Sequence, residues 1–308
     1  MHTAVARVRT LSPGHFLRLS LASCAALFLV VTSGAFVRLT GSGLGCENWP
    51  RCGDKPYPEQ GFHAFVEFGN RLVAVVGLVV TLATWLGSRR VQNLSPRARH
   101  AALGAFLVAA AQIPMGAVTI ALDLHPLAVM THFLLALIVL ALAVVVAMEA
   151  SSLVSGLARS AGPAWLRRFV TWVGLPACAA LVVTGAVATA SGPHPGADED
   201  VKRLGVEIAD TVYVHVRVAA AFGIGVLFIG WFLWRMRDRY PGLLRLWGAL
   251  LVVLVAQAVL GEVQYRTALP WGLVLVHVFL ATAIWALSVA LAYAFWRPPA
   301  ALATTSRQ

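Results

Sequence analysis

Eight apolar stretches, each about as long as a membrane-spanning helix, constrain this chain more than any other feature. A helix of about 20 apolar residues crosses the ~30 Å hydrocarbon core of a bilayer. Such stretches lie at 16–37, 63–86, 101–122, 126–148, 169–190, 207–234, 243–263 and 271–296. Of the 308 residues, 59% are hydrophobic and only 12% are charged, which is typical of integral membrane proteins. We therefore predict an all-α integral membrane protein with eight transmembrane helices.

An internal repeat divides these helices into two sets of four. The segment MTHFLLA at 130–136 is similar to LVHVFLA at 275–281, so His132 aligns with His277 at an offset of 145 positions. The same offset aligns Gln112 with Gln257, Gly116 with Gly261, and Asn70 with His215. Each unit has an even number of helices, so the two copies have the same orientation in the membrane. The sequence predicts two pseudo-symmetric four-helix bundles, at 13–150 and 169–297, joined by a cytoplasmic linker at 151–168.

The formal net charge of +11 does not indicate a nucleic-acid partner, because the arginines concentrate in alternate loops. Basic loops of a membrane protein face the cytoplasm. The pattern predicts a multi-pass protein of the inner (cytoplasmic) membrane with both termini in the cytoplasm. The opposite loops carry few cations. The outer loop of the second half, which we expect to be the longest, is acidic and contains Asp198, Glu199, Asp200, Glu207 and Asp210.

Two of the four cysteines, Cys46 and Cys52, lie in the outer loop that follows the first helix. Two nearby thiols on the oxidising side of a membrane favour a disulfide, either structural or redox-active, and a pair of free thiols is the alternative. Zinc is disfavoured because the loop has no second pair of ligands. Cys24 and Cys178 lie within predicted helices, where a cysteine is usually a small apolar residue.

Glu67 and Arg71 are two of the few charged residues deep within a predicted span. An ionisable group inside a membrane costs several kcal/mol (roughly 2.5–3.5 or more) unless it is paired or faces a cavity, so it indicates function. At i and i+4 the two side chains share one helix face with Asn70 and can form an ion pair. The alternative is an ion pair that only fixes helix packing.

Two histidines of the second half, His215 and His277, lie in different helices at similar shallow depths below the outer face. Single histidines on facing helices of an apolar four-helix bundle are a typical arrangement for holding a haem. A bare metal ion would require further carboxylate or thiolate ligands, which this region lacks. The pattern predicts a haem between His215 and His277, suited to electron transfer.

The first half keeps His132 but has Asn70 at the position that aligns with His215. It also has Glu67 where the second half has Val212. An iron held through His132 alone would have one free face, and a neighbouring carboxylate could move protons or stabilise positive charge. The asymmetric site therefore suits a substrate.

The stretch VRLTGSGLGCENWPRC, the EFGNR segment and the histidines at His132, His215 and His277 together resemble the haem A synthase family. These membrane enzymes oxidise the C8 methyl of haem O to the formyl group of haem A. The resemblance extends over all eight helices and is most specific in the first outer loop and the second helix. It implies haem b bound by His215 and His277, and haem O as a substrate handled near Glu67 and His132.

The resemblance also implies that Cys46 and Cys52 form the family's outer-loop cysteine pair. The partners it implies are haem O synthase, a membrane electron donor or acceptor and the assembly of terminal oxidases. Arg71 matches the family's pattern and is expected to pair with Glu67 or with a haem propionate. Many members have histidine where this chain has Asn70, a poor iron ligand, so the iron of haem O is held by His132 alone or gains His63 or water as a sixth ligand.

These expectations combine into one predicted reaction. Two successive hydroxylations of the haem O methyl give a gem-diol, which loses water to yield the aldehyde. Glu67 is the acid–base or charge-stabilising group at the reacting carbon, His132 positions the macrocycle, and haem b relays electrons. The alternatives are a di-haem membrane cytochrome that carries electrons and, third, a transporter.

Overall fold

A computed structural model describes residues 10–46, 49–155, 162–197 and 201–296. Within these ranges eight helices are long and apolar enough to cross a membrane. They are α1 Pro13–Leu39, α2 Phe62–Ser88, α3 Pro96–Ala121, α4 Pro126–Ser155, α5 Ala164–Ser191, α6 Ile208–Arg235, α7 Pro241–Arg266 and α8 Trp271–Trp296. Each closely matches its predicted apolar stretch, so the all-α membrane fold is confirmed.

Serine followed by proline begins two of the helices on the predicted cytoplasmic side. The hydroxyl of Ser12 accepts a hydrogen bond from the backbone N–H of His15, and Ser95 accepts one from Ala98. Such a side chain satisfies an N–H that the first helical turn leaves without a partner. The proline that follows each serine has no N–H to satisfy. Local sequence therefore fixes where α1 and α3 begin.

Helix α5 widens into a π-helical turn at Val170–Gly174. Pro176 lies just beyond this turn, in the first turn of the α-helical segment Leu175–Ser191. A proline cannot donate to the carbonyl four residues earlier, and its ring collides with that carbonyl in a regular helix. The wider turn removes this conflict without ending the helix.

Each set of four helices packs as a closed ring. In the first half, α1 contacts α2 and α4, and α3 contacts both of them as well. In the second half, α5 contacts α6 and α8, and α7 contacts both of these. Helices α2 and α4 therefore lie on opposite sides of one ring, and α6 and α8 lie on opposite sides of the other. Side chains from these diagonal helices can face each other across the ring.

Helices α1, α4, α5 and α8 join the two rings. The indole N–H of Trp285 on α8 donates to the backbone carbonyl of Leu137 on α4 over 2.8 Å. Small side chains of α8, including Ala286 and Ala290, pack with buried residues of α1 and α4 in one apolar cluster. Small residues let membrane helices approach closely, since dispersion contacts replace the hydrophobic effect there.

The two loops predicted to lie on the outer side, called the outer loops below, differ from expectation in length. Residues 40–61 connect α1 to α2, whereas residues 192–207 connect α5 to α6. The prediction that the second-half loop is the longest is therefore wrong, because α1 ends at Leu39 and α2 begins only at Phe62, which leaves the longer connection in the first half. Asp198, Glu199 and Asp200 of that loop, and residues 156–161 of the linker, lie outside the described ranges.

Candidate functional site

His215 and His277 lie on diagonal helices of the second ring. His215 lies in α6, seven residues after its first residue, and His277 lies in α8, six residues after its first residue. At ~1.5 Å per residue both lie about 9–11 Å along their helices from the N-terminal ends. The fold thus places on diagonal helices of one ring two histidines that are 62 positions apart in the chain.

Glycines of the neighbouring helices make room for these two imidazoles. A Cβ atom added to Gly185 of α5 would lie 3.0 Å from Cε1 of His215. One added to Gly261 of α7 would lie 3.2 Å from Cε1 of His277. Both distances are shorter than ordinary van der Waals contact. The rings therefore pack directly against helix backbone, where any larger residue would displace them.

The hydroxyl of Thr184 sets the orientation of His215. Its Oγ1 lies 3.1 Å from Nδ1 of the ring and also bonds to the carbonyl oxygens of Ala180 and Leu181. Because the hydroxyl proton is donated to a carbonyl, its oxygen accepts the Nδ1–H of His215. The tautomer with hydrogen on Nδ1 leaves the Nε2 lone pair free to bind a metal.

His277 is positioned through Gln257. The amide nitrogen of Gln257 on α7 donates to the backbone carbonyl of His277 over 3.0 Å. In the first half, the amide nitrogen of Gln112 on α3 donates in the same way to the carbonyl of His132 on α4 over 3.1 Å. The residues that the 145-position offset aligns therefore make the same contact in each half.

Asn70 is held as His215 is held, but its amide oxygen is already engaged. Ser33 of α1 donates its hydroxyl proton to Oδ1 of Asn70 over 2.7 Å. The adjacent Gly34 faces the same oxygen, at 3.9 Å from an added Cβ. Ser33 and Gly34 contact Asn70 in the same way that Thr184 and Gly185 contact His215. In each half the preceding helix therefore provides a hydroxyl followed by a glycine, but only the second half has an imidazole at the position that they contact.

The predicted ion pair between Glu67 and Arg71 is present. Oε1 of Glu67 accepts a hydrogen bond from the Arg71 guanidinium, and Oε2 accepts the backbone N–H of Cys46 over 2.8 Å. Only 5% of Glu67 is exposed. Buried charges are tolerated where each polar atom has a partner. Both carboxylate oxygens are thus engaged, one by a charge and one by the outer loop.

The cysteine pair forms a disulfide, as predicted. Cys46 and Cys52 are bonded, with their Cα atoms 4.5 Å apart, and Cys46 is 3% exposed. The Arg71 guanidinium also donates to the backbone carbonyls of Pro50 and Arg51, over 3.0 and 2.9 Å. The two charged residues of α2 therefore fasten the disulfide loop to the outer part of that helix.

His63 belongs to this same outer region. Its Nδ1 lies 2.9 Å from the hydroxyl oxygen of Ser42, and its ring packs edge-on against Phe62. Gly45 lies against its backbone, so closely that an added Cβ would be 2.4 Å from the carbonyl carbon of His63. The contacts of His63 are with the outer loop, and its ring is exposed.

The sequence pattern did not identify Arg38, which links the two halves at the outer side. The guanidinium at the end of α1 donates to the carbonyl of Thr189 at the end of α5 and to that of His194 in the following loop, both over 3.0 Å. His194 in turn lies 2.9 Å from the carbonyl oxygen of Leu269, between α7 and α8. A basic residue at a helix end is common, so the type of residue alone gave no signal.

Thr184 and Ser33 were also missed, although the sequence contains a signal for them. The segments SGA at 33–35 and TGA at 184–186 correspond at an offset of 151. This differs from 145 because the first outer loop is the longer one. A search at a single fixed offset cannot align both α1 with α5 and α2 with α6.

The residues of the second ring fit a haem better than a bare ion. Within the described ranges, no group of three or more His, Cys, Asp or Glu side chains is placed to hold a metal ion. A haem iron takes four ligands from the macrocycle and needs only two from the protein. His215 and His277 could supply these two from diagonal helices, and a glycine lies beside each imidazole.

Several curated proteins are similar to parts of this chain. A protein named "Heme A synthase" of Symbiobacterium thermophilum is 32% identical over 115 residues, 37% of this chain and 38% of that protein. Another of that name from Geobacillus kaustophilus is 30% identical over 105 residues, 34% of this chain and 33% of that protein. A third, from Lysinibacillus sphaericus, is 36% identical over 115 residues, 34% and 38% of the two chains.

The chain thus matches less than two fifths of the length of each of these relatives. A comparison with family models extends much further. The model described as "Cytochrome oxidase assembly protein", COX15-CtaA, matches residues 17–289. That range begins within α1, ends within α8 and includes all the site residues described above. The chain therefore belongs to the COX15-CtaA family of cytochrome oxidase assembly proteins.

Proposed function

We propose that this protein is a haem A synthase, an oxidoreductase that converts the C8 methyl of haem O into the formyl group of haem A. The observation that carries the proposal is the pair His215 and His277, which lie at similar depths on diagonal helices of one ring. Membership of the COX15-CtaA family and the names of the partial relatives support it. The product would serve cytochrome oxidase assembly.

In this proposal the chain has two functional halves, 13–150 and 169–297, connected by 151–168. His215 and His277 of the second half would hold haem b, and a free Nε2 lone pair on each imidazole would bind its iron. Bound there, haem b would supply one-electron transfer. Thr184 fixes the tautomer of His215, and Gly185 and Gly261 keep other side chains away from the two imidazoles.

The first half receives haem O as substrate, with His132 as the axial ligand from the protein. Asn70 lies at the position that corresponds to His215, but its Oδ1 accepts the hydroxyl proton of Ser33. An amide is a poor ligand for iron, and this one is already occupied. We infer that Asn70 would not bind the substrate iron. His63 bonds to Ser42 in the outer loop, which disfavours it as the sixth ligand.

Glu67 provides the charge that the reaction requires. Both of its carboxylate oxygens accept hydrogen bonds, from Arg71 and from the N–H of Cys46. Stabilisation of positive charge at the reacting carbon needs no rearrangement of these bonds. Each oxygen keeps a second lone-pair site, so these contacts are also compatible with general acid–base catalysis. Glu67 therefore acts at the methyl group either on charge or on a proton, with Arg71 setting the position of the carboxylate.

We further propose that the protein lies in the inner (cytoplasmic) membrane with both termini in the cytoplasm. The arginine-rich connections between α2 and α3 and between α6 and α7 support this orientation. The haem sites then lie toward the outer face, below the disulfide loop. Haem O synthase would deliver the substrate, and a membrane electron donor or acceptor would exchange electrons with haem b.

The test is a set of variants produced in membranes that contain haem O, with the haems extracted and identified by mass. Glu67→Gln and His132→Ala should abolish haem A while haem b is retained, and His215→Ala or His277→Ala should remove haem b. Glu262→Gln is the matched control, because Glu262 forms an equivalent i, i+4 pair with Arg266 that is exposed on α7. Full haem A production by Glu67→Gln would remove its charge from the mechanism.

A further inference from the structure

Each half of the protein has one glutamine at the equivalent position beside a histidine. Gln257 donates from its amide nitrogen to the carbonyl of His277, and Gln112 donates likewise to His132. One end of each amide is therefore fixed on the backbone of the helix that carries the histidine. The other end, the Oε1 atom, must lie close by, within the same narrow space between helices.

Four atoms at these two places are buried and lack a hydrogen-bond partner in the described part of the chain. They are Oε1 of Gln257 and Gln112, and Nδ1 of His277 and His132. An unpaired buried polar atom costs about 1–3 kcal/mol, and such atoms are few in native proteins. Each place contains one amide oxygen, which only accepts, and one ring nitrogen, which donates when protonated. The two are complementary.

The helix that carries each glutamine also carries the glycine against which the histidine ring packs. Gly261 follows Gln257 by four residues, on the same face of α7, and an added Cβ there would lie 3.2 Å from Cε1 of His277. Gly116 follows Gln112 in the same way, with an added Cβ 3.8 Å from Cε1 of His132. The imidazole edge and the glutamine amide are thus neighbours along one helix face.

We propose that Oε1 of Gln257 accepts the Nδ1–H of His277, directly or through one buried water, when Nε2 of that ring binds iron, and that Gln112 does the same for His132. A metal-bound histidine almost always donates its other N–H to an oxygen, which fixes the ring and makes it more basic. His215 has this partner in Thr184. The glutamines are positioning residues that do not touch the iron, and the inference rests on the proposed ligation of haem b by His277.

The test compares two changes at position 257 in the purified, haem-loaded protein. Gln257→Leu removes the acceptor, and Gln257→Glu replaces it with a stronger one of nearly the same shape. A more basic imidazole stabilises ferric iron, so the midpoint potential of haem b should rise in the leucine variant and fall in the glutamate variant. Optical redox titration measures the potential. Low-temperature electron paramagnetic resonance should show that both axial histidines remain.

Gln112→Leu is the matched control, because it makes the same change beside His132 in the other half. It should leave the potential of haem b unchanged. Haem b content and the thermal unfolding midpoint of each variant report packing separately from ligand basicity. If Gln257→Leu loses its haem, Gln257→Asn, which shortens the side chain but keeps the amide, takes its place and should also raise the potential.

The inference is overturned if the haem-loaded variants at position 257 keep the wild-type potential, or if loss and strengthening of the acceptor shift it in the same direction. A shift caused equally by Gln112→Leu would also overturn it, since the effect would then not be local. A wild-type protein that contains no haem b would instead remove the proposed function, together with this inference. The two failures are distinguished by the wild-type spectrum alone.

Discussion

Replacing Gly45 by alanine should detach the disulfide loop from the outer end of α2. Gly45 lies against backbone atoms, and an added Cβ would be 2.4 Å from the carbonyl carbon of His63, 2.5 Å from its oxygen and 2.8 Å from the nitrogen of Ala64. Backbone cannot rotate away as a flexible side chain does. Ordinary contact begins near 3.4 Å, so the loop must shift by about 1 Å.

That shift is large enough to break the hydrogen bond of the adjacent residue. The Cys46 N–H to Glu67 Oε2 distance of 2.8 Å would lengthen to about 3.8 Å, beyond hydrogen-bonding range. A hydrogen bond to a charged group contributes about 1.5–3 kcal/mol. Every ~1.4 kcal/mol is tenfold in an equilibrium constant, so the loop should open locally about 10- to 150-fold more often.

Reduction of the Cys46–Cys52 disulfide measures this opening, because Cys46 is buried in the closed loop. At low concentrations of reductant the rate follows the open fraction, and a maleimide that adds mass to free thiols reports it on a gel. Gly69→Ala is the control, since an added Cβ at that position of α2 meets no other atom within 4 Å. Equal reduction rates for Gly45→Ala and the wild type would refute the reasoning.

Three further changes test other contacts of the structure. Thr184→Val keeps the shape of the side chain but removes the acceptor for Nδ1 of His215, so haem b should bind more weakly or lose its six-coordinate spectrum, whereas Thr189→Val on the same helix should not change it. Arg38→Met removes donors to the carbonyls of Thr189 and His194, each worth about 1.5–3 kcal/mol, and should lower the thermal unfolding midpoint; an unchanged midpoint would contradict the role of Arg38 in joining the halves. Trp285→Phe keeps an aromatic ring but loses the bond to Leu137, so a smaller loss of about 0.5–1.5 kcal/mol is expected.

The helices could be predicted from the sequence because membrane spans depend on length and apolar composition, which are local properties. The boundaries of α1 and α3 are equally local, since Ser12 and Ser95 precede prolines. The outer loop of the second half was the error. The helices on either side of it begin and end within one residue of their predicted bounds, and the first outer loop, which contains the disulfide, is the longer one.

The site was predictable where the repeat made single residues conspicuous. His132, His215 and His277 stand out because a histidine in an apolar helix is costly unless it has a partner. Glu67 and Arg71 stand out for the same reason, and their pairing followed from the i, i+4 spacing. The partners of Glu67 in the loop could not be foreseen, because the backbone N–H of Cys46 reaches it through tertiary packing and leaves no trace in residue type.

The glutamines at 112 and 257 show a second limit of the pattern. The alignment of the two glutamines was visible in the sequence, but a repeated polar residue does not show which atoms its side chain contacts. Only the structure shows that each amide donates to the carbonyl of a histidine on the next helix, while its oxygen is buried without a hydrogen-bond partner among the described residues. Thr184 and Ser33 were hidden by the change of offset. Residues that support the candidate site are therefore harder to predict from the sequence than the histidines that they contact.

The most direct test of the proposed function is the haem content of the wild-type protein. The protein is purified after production alongside a source of haem O, and its haems are extracted with acid, separated by chromatography and identified by mass. The proposal predicts haem b together with haem O and haem A. Haem b alone, with haem O available in the same membranes, would contradict a haem A synthase and favour an electron-carrying cytochrome.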